Sequence, residues 1–136
     1  LILCASHGGN YMINVGPEPD GTIPESDART LLKVGRWLKE NGESIYGTRA
    51  GVSNRIPTPL ATPWGGTTLG KNRLYLHLLY WHRQFSVPDI KAKVRRAYFL
   101  KTGQPVKFKQ EGSRVFFSEL PARPPDKEAT VLVVSW

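Results

Sequence analysis

Between Gly16-Pro17 and Asn41-Gly42 the chain has little choice of form, and that stretch limits what can surround it. Pro17 has no amide hydrogen, and with Gly16 it ends any strand that runs up to it. Asp20-Gly21 demands a turn. From Glu25 to Asn41, the residues Ala28, Leu31, Leu32, Gly35 and Leu38 recur at the three-and-four spacing that draws one apolar stripe along a helix. Pro24 suits the first turn, Thr22 with Glu25 three residues on predicts a capping box, and Asp27 sets negative charge beside the exposed amides. Lys39 followed by Asn41-Gly42 predicts the stop, with a left-handed residue there.

Just upstream, Tyr11 to Gly16, YMINVG, carries Met12, Ile13 and Val15 and reads as a short buried strand. Strand, loop and helix then make a βα unit. Before it, LILCAS followed by Gly8-Gly9 reads as the last turn of a helix closed by a left-handed glycine, in preference to a strand with a tight turn.

Downstream the texture changes. Ser53 to Gly70 is rich in Pro, Thr and Gly without a sustained period, and reads as a linker or wrapping loop. Arg73 to Trp81 places Leu74, Leu76 and Leu78 on one face and Tyr75, His77, Leu79 and Trp81 on the other, as in a central strand covered on both sides. Phe85 to Val87, Val94 to Leu100, Pro105 to Lys109, Arg114 to Ser118 and Thr130 to Ser135 are further strands between turn-rich pieces. The expected organisation is an α/β piece at residues 1–47, a connector at 48–70 and an all-β sandwich at 71–136.

The whole sequence, 136 residues with a formal charge of +8, is long enough to bury a core without staples. Its Lys and Arg residues are scattered, with no lysine-rich run and no aromatic-basic repeat, so no nucleic-acid partner is expected. The single cysteine, Cys4, excludes an intramolecular disulfide. Leu1 to Ala5 is apolar but far too short to span a bilayer and lacks a basic leader, so no membrane partner is expected. With no initiating Met, the chain is expected to begin mid-protein.

The runs GGNYMINVGPEPDGTIPE and VGRWLKENGESIYGT together resemble the end of the catalytic barrel of the α-L-fucosidases, retaining glycoside hydrolases that remove terminal fucose. Gly9-Asn10, Asn14, Gly16-Pro17, Asp20-Gly21, Trp37-Leu38 and Asn41 to Thr48 match that family's order. Met12-Ile13 stand where it has Leu-Leu, and Ser44 where it has Ala. More loosely, PWGGTTLGKNRLYLHLLYW, LKTGQPV and LPARPPDKEATVLVV resemble its C-terminal β-sandwich, with His82 where Pro is frequent.

The resemblance implies the last βα unit of a (β/α)8-like barrel, with Tyr11 to Gly16 as last strand and Gly16 to Pro24 as last loop. Active sites in that architecture lie at the carboxyl ends of the strands. It also implies that both catalytic carboxylates come from earlier barrel strands, that this piece alone is inactive, and that no cofactor is needed. The implied partners are fucosylated glycans and the missing N-terminal barrel portion. A secreted, periplasmic or lysosome-like compartment would suit the parent. The alternative is a noncatalytic carbohydrate-binding or structural β-sandwich module of another barrel hydrolase.

No catalytic residue is assigned in this chain. Asp20 and Glu18 belong to a turn, Glu25 and Asp27 to helix-start electrostatics, and Glu43 to a solvated helix exit. Asn14, an amide in an expected buried strand, must find partners; it and Asn10 are the candidate sugar contacts, with structural support the favoured role. His7, His77 and His82 are too dispersed for a metal site, and Ser6-His7 lacks a third orienting group. Trp64, Trp81, Tyr75, Tyr80 and Trp136 are read as core before sugar platforms, and Trp37 as packing toward a sheet or a neighbouring helix.

Overall fold

The computed structural model describes residues 1–51 and 64–136. In chain order the elements are α1 (Ile2–Ser6), α2 (Glu25–Asn41), a 3-10 turn (Gly42–Ser44), β1 (Arg49–Ala50), β2 (Gly65–Gly70), β3 (Arg73–Leu78), β4 (Phe85–Val87), β5 (Arg96–Phe99), β6 (Phe108–Glu111), β7 (Arg114–Phe117) and β8 (Thr130–Ser135). One antiparallel sheet runs β1-β2-β3-β8-β5, and a second runs β4-β7-β6. No described helix is long and apolar enough to cross a membrane.

The alternation along β3 explains the layering. Leu74, Leu76 and Leu78 share one core with Leu132 and Val134 of β8, Phe99 of β5, and Val87, Val115 and Phe117 of the smaller sheet. That is the interior of a two-sheet sandwich, as the alternation predicted. Tyr75, Val131 and Val133 point the other way and pack with Trp37 and Leu38 of α2. Helix, large sheet and small sheet thus form three layers, and β3 and β8 are covered on both faces. At about 2 kcal/mol for each fully buried Leu or Val, these two strands are the molecule's largest apolar contribution.

α2 spans the expected residues, but its packed face is turned from the expected one. Leu31, Val34, Trp37 and Leu38 are buried or half-buried, whereas Gly35 is exposed and Leu32 is 62% exposed. The Trp37 indole sets the rotation: its ring is buried and its Nε1–H donates to the Ala129 carbonyl at 2.9 Å. The expected capping box is absent. Pro24 is the N-cap, and the Thr22 hydroxyl donates to Asp20 instead. Nor is Gly42 left-handed; at φ −59 it carries α2 into the 3-10 turn, and the left-handed glycine is Gly47, φ +67. α1 ends as expected, with Gly8 at φ +71 and the Gly9 amide donating to the Cys4 carbonyl.

Four strand expectations are corrected. β3 ends at Leu78, short of the expected Trp81, and Trp81 packs on the Leu74 side and not with Tyr75. Tyr11 to Gly16 forms no strand: Tyr11 and Ile13 are half exposed and Met12 is 94% exposed. An extended segment needs a neighbour for its amides and carbonyls, and no described strand lies beside it. Gly65 to Gly70, expected within the linker, pairs with β3 along its whole length. Its Gly and Thr residues hid the strand, yet Gly66 is required because a Cβ there would collide with Ser6 of α1. Residues 53–63 of that expected linker lie outside the described residues. Finally, β6 starts three residues later than expected; Pro105, which cannot donate, makes only an isolated bridge to Tyr98.

Candidate functional site

The loop from Gly9 to Pro24 carries both candidate residues. Its turn is locally self-satisfied: the Glu18 amide donates to the Thr22 carbonyl and the Gly21 amide to the Glu18 carbonyl, each at 2.8 Å, with Gly21 at φ +83. Asp20 accepts from the Thr22 hydroxyl at 2.7 Å and from the Thr22 amide at 3.0 Å. Those bonds, the hydroxyl's first, hold the Asp20 carboxyl below its ordinary value. A carboxylate so occupied is a turn anchor and not a poised acid. Asn10 and Asn14 both stand exposed on this loop. Asn14, expected to be a buried strand amide, is solvated because the strand itself does not form.

Behind the loop, α2 is fastened to the sandwich by polar groups that converge from distant sequence. The Asn41 amide nitrogen, at the buried end of α2, donates to the Trp37 carbonyl at 3.2 Å and to Asp126 at 3.5 Å. Lys101 bridges Glu40 of α2, 2.7 Å, and Asp126, 3.4 Å. Asp126 also accepts from the Glu128 amide, while its own amide and carbonyl engage the Thr130 hydroxyl. Glu43 is not merely solvated: it pairs with Arg73 at 3.3 Å and accepts from the Tyr75 hydroxyl at 3.2 Å.

His77 lies within this seam, its ring 6.3 Å from that of Trp37. The Thr68 hydroxyl lies 2.9 Å from His77 Nε2 and donates to the Ser44 carbonyl. A hydroxyl has one hydrogen, so His77 is the donor and carries its proton on Nε2. Burial pushes this histidine down to about 4, so it is neutral at ordinary pH.

Beside the seam, a groove of about 490 Å³ opens between α1 and α2, lined chiefly by Leu1, Ile2, Leu3, Val34, Trp37 and Leu79. It is apolar, and neither Asn10 nor Asn14 lines it. Among the described residues no three His, Cys, Asp or Glu side chains come together as a metal site. Trp64 and Tyr75 are buried, Trp81 and Trp136 pack against the core, and Tyr80 is exposed. His7, rather than joining any cluster, bonds the Leu3 carbonyl of its own helix.

The sequence reading missed Asp126, Lys101 and Asn41 as one network. Their separation along the chain left no periodic or spacing signal; a Pro-Pro-Asp turn beside a strand was the only local hint.

Residues 1–43 match the family model described as alpha-L-fucosidase. Among curated relatives, the chain is 40% identical over 81 residues to the bovine (Bos taurus) tissue alpha-L-fucosidase, which covers 60% of this chain and 16% of that protein. With the Dictyostelium discoideum alpha-L-fucosidase it shares 46% identity over 48 residues, 35% of this chain and 10% of that one. In structure it resembles alpha-L-fucosidase isoenzyme 1 from Paenibacillus thiaminolyticus, with TM-score 0.80, 29% identity, and coverage of 97% of this chain and 32% of that one. The chain thus spans under a fifth of these curated relatives and about a third of that solved structure. In sequence over residues 1–43, and in fold over 97% of its length, the chain is similar to α-L-fucosidases.

Proposed function

We propose that this chain is the C-terminal part of an α-L-fucosidase-like glycoside hydrolase that removes terminal fucose from glycans with retention of configuration. Residues 1–47 serve as the last strand, loop and helix of a (β/α)8-like barrel, 48–70 connect, and 71–136 form the C-terminal sandwich, with β2 of the connector entering its sheet. The carrying observation is where apolar surface lies uncovered. Leu3, Tyr11, Met12, Ile13, Ile23, Leu32 and Tyr46 are exposed, whereas β3 and β8 bury nearly everything they carry. A unit with so much uncovered apolar surface is built to be packed against something else.

On this reading the neighbouring barrel strands supply that cover, and Tyr11 to Gly16 becomes a strand once its amides have partners. Retaining hydrolysis needs two carboxyl groups about 5–5.5 Å apart, one attacking the anomeric carbon and the other protonating the leaving oxygen before activating water. Both belong to barrel segments outside residues 1–136. This chain's share is to close the barrel: the Gly16-Pro17 break and the Asp20 turn aim the last loop, and Asn10 and Asn14 face either a neighbouring strand or a sugar hydroxyl. The test is a chimera in which this chain replaces the matching third of the Paenibacillus enzyme. We expect it to hydrolyse an aryl α-L-fucoside with first-formed α-fucose, and the chain alone to be inactive. Turnover by the chain alone, or a folded but inactive chimera, contradicts the proposal.

A further inference from the structure

The segment between β4 and β5 is neither helix nor strand, yet it is held as firmly as one. Gln110 of β6 grips it: Oε1 accepts from the Val94 amide at 2.9 Å, and Nε2 donates to the carbonyls of Ile90 at 3.2 Å and Ala92 at 2.9 Å. The segment bends at Ala92 and so wraps its backbone groups at residues 90, 92 and 94 around the one Gln110 amide. Ile90 and Val94 are buried in the sandwich core. The segment is tied at its ends by the Ile90 amide to the Ser113 carbonyl and the Arg95 amide to the Ser135 carbonyl, both at 2.8 Å. Lys91, Lys93 and Arg95, on and beside this tethered backbone, are all exposed. Arg96 follows, its guanidinium 4.4 Å over the Tyr98 ring. Among the described residues, the ion pairs of Lys33, Lys101, Lys107 and Lys109 have no counterpart at Lys91, Lys93, Arg95 or Arg96.

We propose that residues 91–96, with the exposed Asp89 left outside, form a docking comb for an anionic polysaccharide, its cations reading the sulfate or carboxylate groups repeated along the polymer. A row on an open surface suits a chain of anions better than a single small one, and fixing it in advance removes the ordering cost of binding. The choice of polysaccharide rests on the glycan-handling function proposed above. It is supported locally as well. The row holds no exposed aromatic for base stacking, Tyr98 being covered by Arg96, and none of the exposed large apolar side chains that would enter a membrane lies within it.

Binding of the 136-residue chain to heparin tests this, with neutral dextran, a single-stranded oligonucleotide and phosphatidylserine vesicles as comparison probes. The Lys91→Gln/Lys93→Gln/Arg95→Gln variant should bind heparin about tenfold or more weakly at physiological ionic strength, with a salt slope lower by about 2. Arg36→Gln/Lys39→Gln/Lys127→Gln, which removes the same charge elsewhere, should bind nearly as the parent does. Gln110→Leu keeps every cation and should fall between them, because the segment loses the side chain that fixes its backbone. Equal losses in the two triple variants overturn the comb, as does heparin binding no tighter than dextran binding. Oligonucleotide or vesicle binding as tight as heparin and lost in the same variant overturns the polysaccharide. The chimera's fucosidase activity is a separate readout, so the two proposals fail separately.

Discussion

His77 is the residue whose chemistry is most completely fixed by its surroundings. It donates from Nε2 to Thr68, and its Nδ1 is buried without a partner, so a second proton would be held in an apolar site. Its folded value of about 4 lies below the ordinary 6.5, so the unfolded chain binds more protons between those two values. The stability this neutral histidine confers is fully present above pH 6.5 and is lost as pH falls through 4. The loss is on the order of 3 kcal/mol. Urea denaturation at pH 7.5, 5.5 and 4 should show that loss, and His77→Gln should flatten it relative to the parent. Parallel curves for the two proteins would contradict the neutral, buried state. Trp37 makes a simpler case. Trp37→Phe should cost about 1 kcal/mol for the bond to Ala129 and Trp37→Ala about 3–5 kcal/mol, measured by the same denaturation.

At the scale of elements, the contact of α1 with β2 depends on the missing side chain of Gly66. Gly66→Ala should destabilise the protein by about 1–3 kcal/mol and loosen α1 first, seen as faster amide exchange at Cys4 to Gly9 with β8 unchanged. Elements whose burial follows their own period were legible in the sequence. α2, β4 and β8 begin and end where the residues indicated, and β3 shows the expected two apolar faces as far as Leu78, beyond which Trp81 crosses to the Leu74 side. Elements whose reason lies elsewhere were not. β2 reads as turn material because its glycine answers to α1. The stripe of α2 is turned because Trp37 reaches Ala129, and the Asp126 network joins segments far apart in sequence. Tyr11 to Gly16 is the inverse case: its composition specifies a strand that the described residues do not pair. Asn10 and Asn14 were legible as polar residues in an unusual place, and no more than that.

For the whole molecule, the contrast between a largely covered sandwich, where Tyr80 and Phe116 are the exposed large apolar side chains among the described residues, and an uncovered first third organises everything else. The apolar groove between α1 and α2 and the exposed Tyr11, Met12 and Ile13 belong to one end of the chain, and the Asn41, Asp126 and Lys101 network fastens that end to the sandwich. The free chain should self-associate through that uncovered surface. Sedimentation should show mass growing with concentration, and Met12→Ser/Ile13→Ser should reduce the growth. A concentration-independent monomer would count against it. The most direct measurement is amide hydrogen exchange at Tyr11 to Gly16 in the free chain and in the Paenibacillus chimera. Those amides should exchange within seconds in the free chain and be protected by about a hundredfold or more in the chimera, as strand amides are. Equally fast exchange in a folded, active chimera would show that this segment is not the barrel's closing strand.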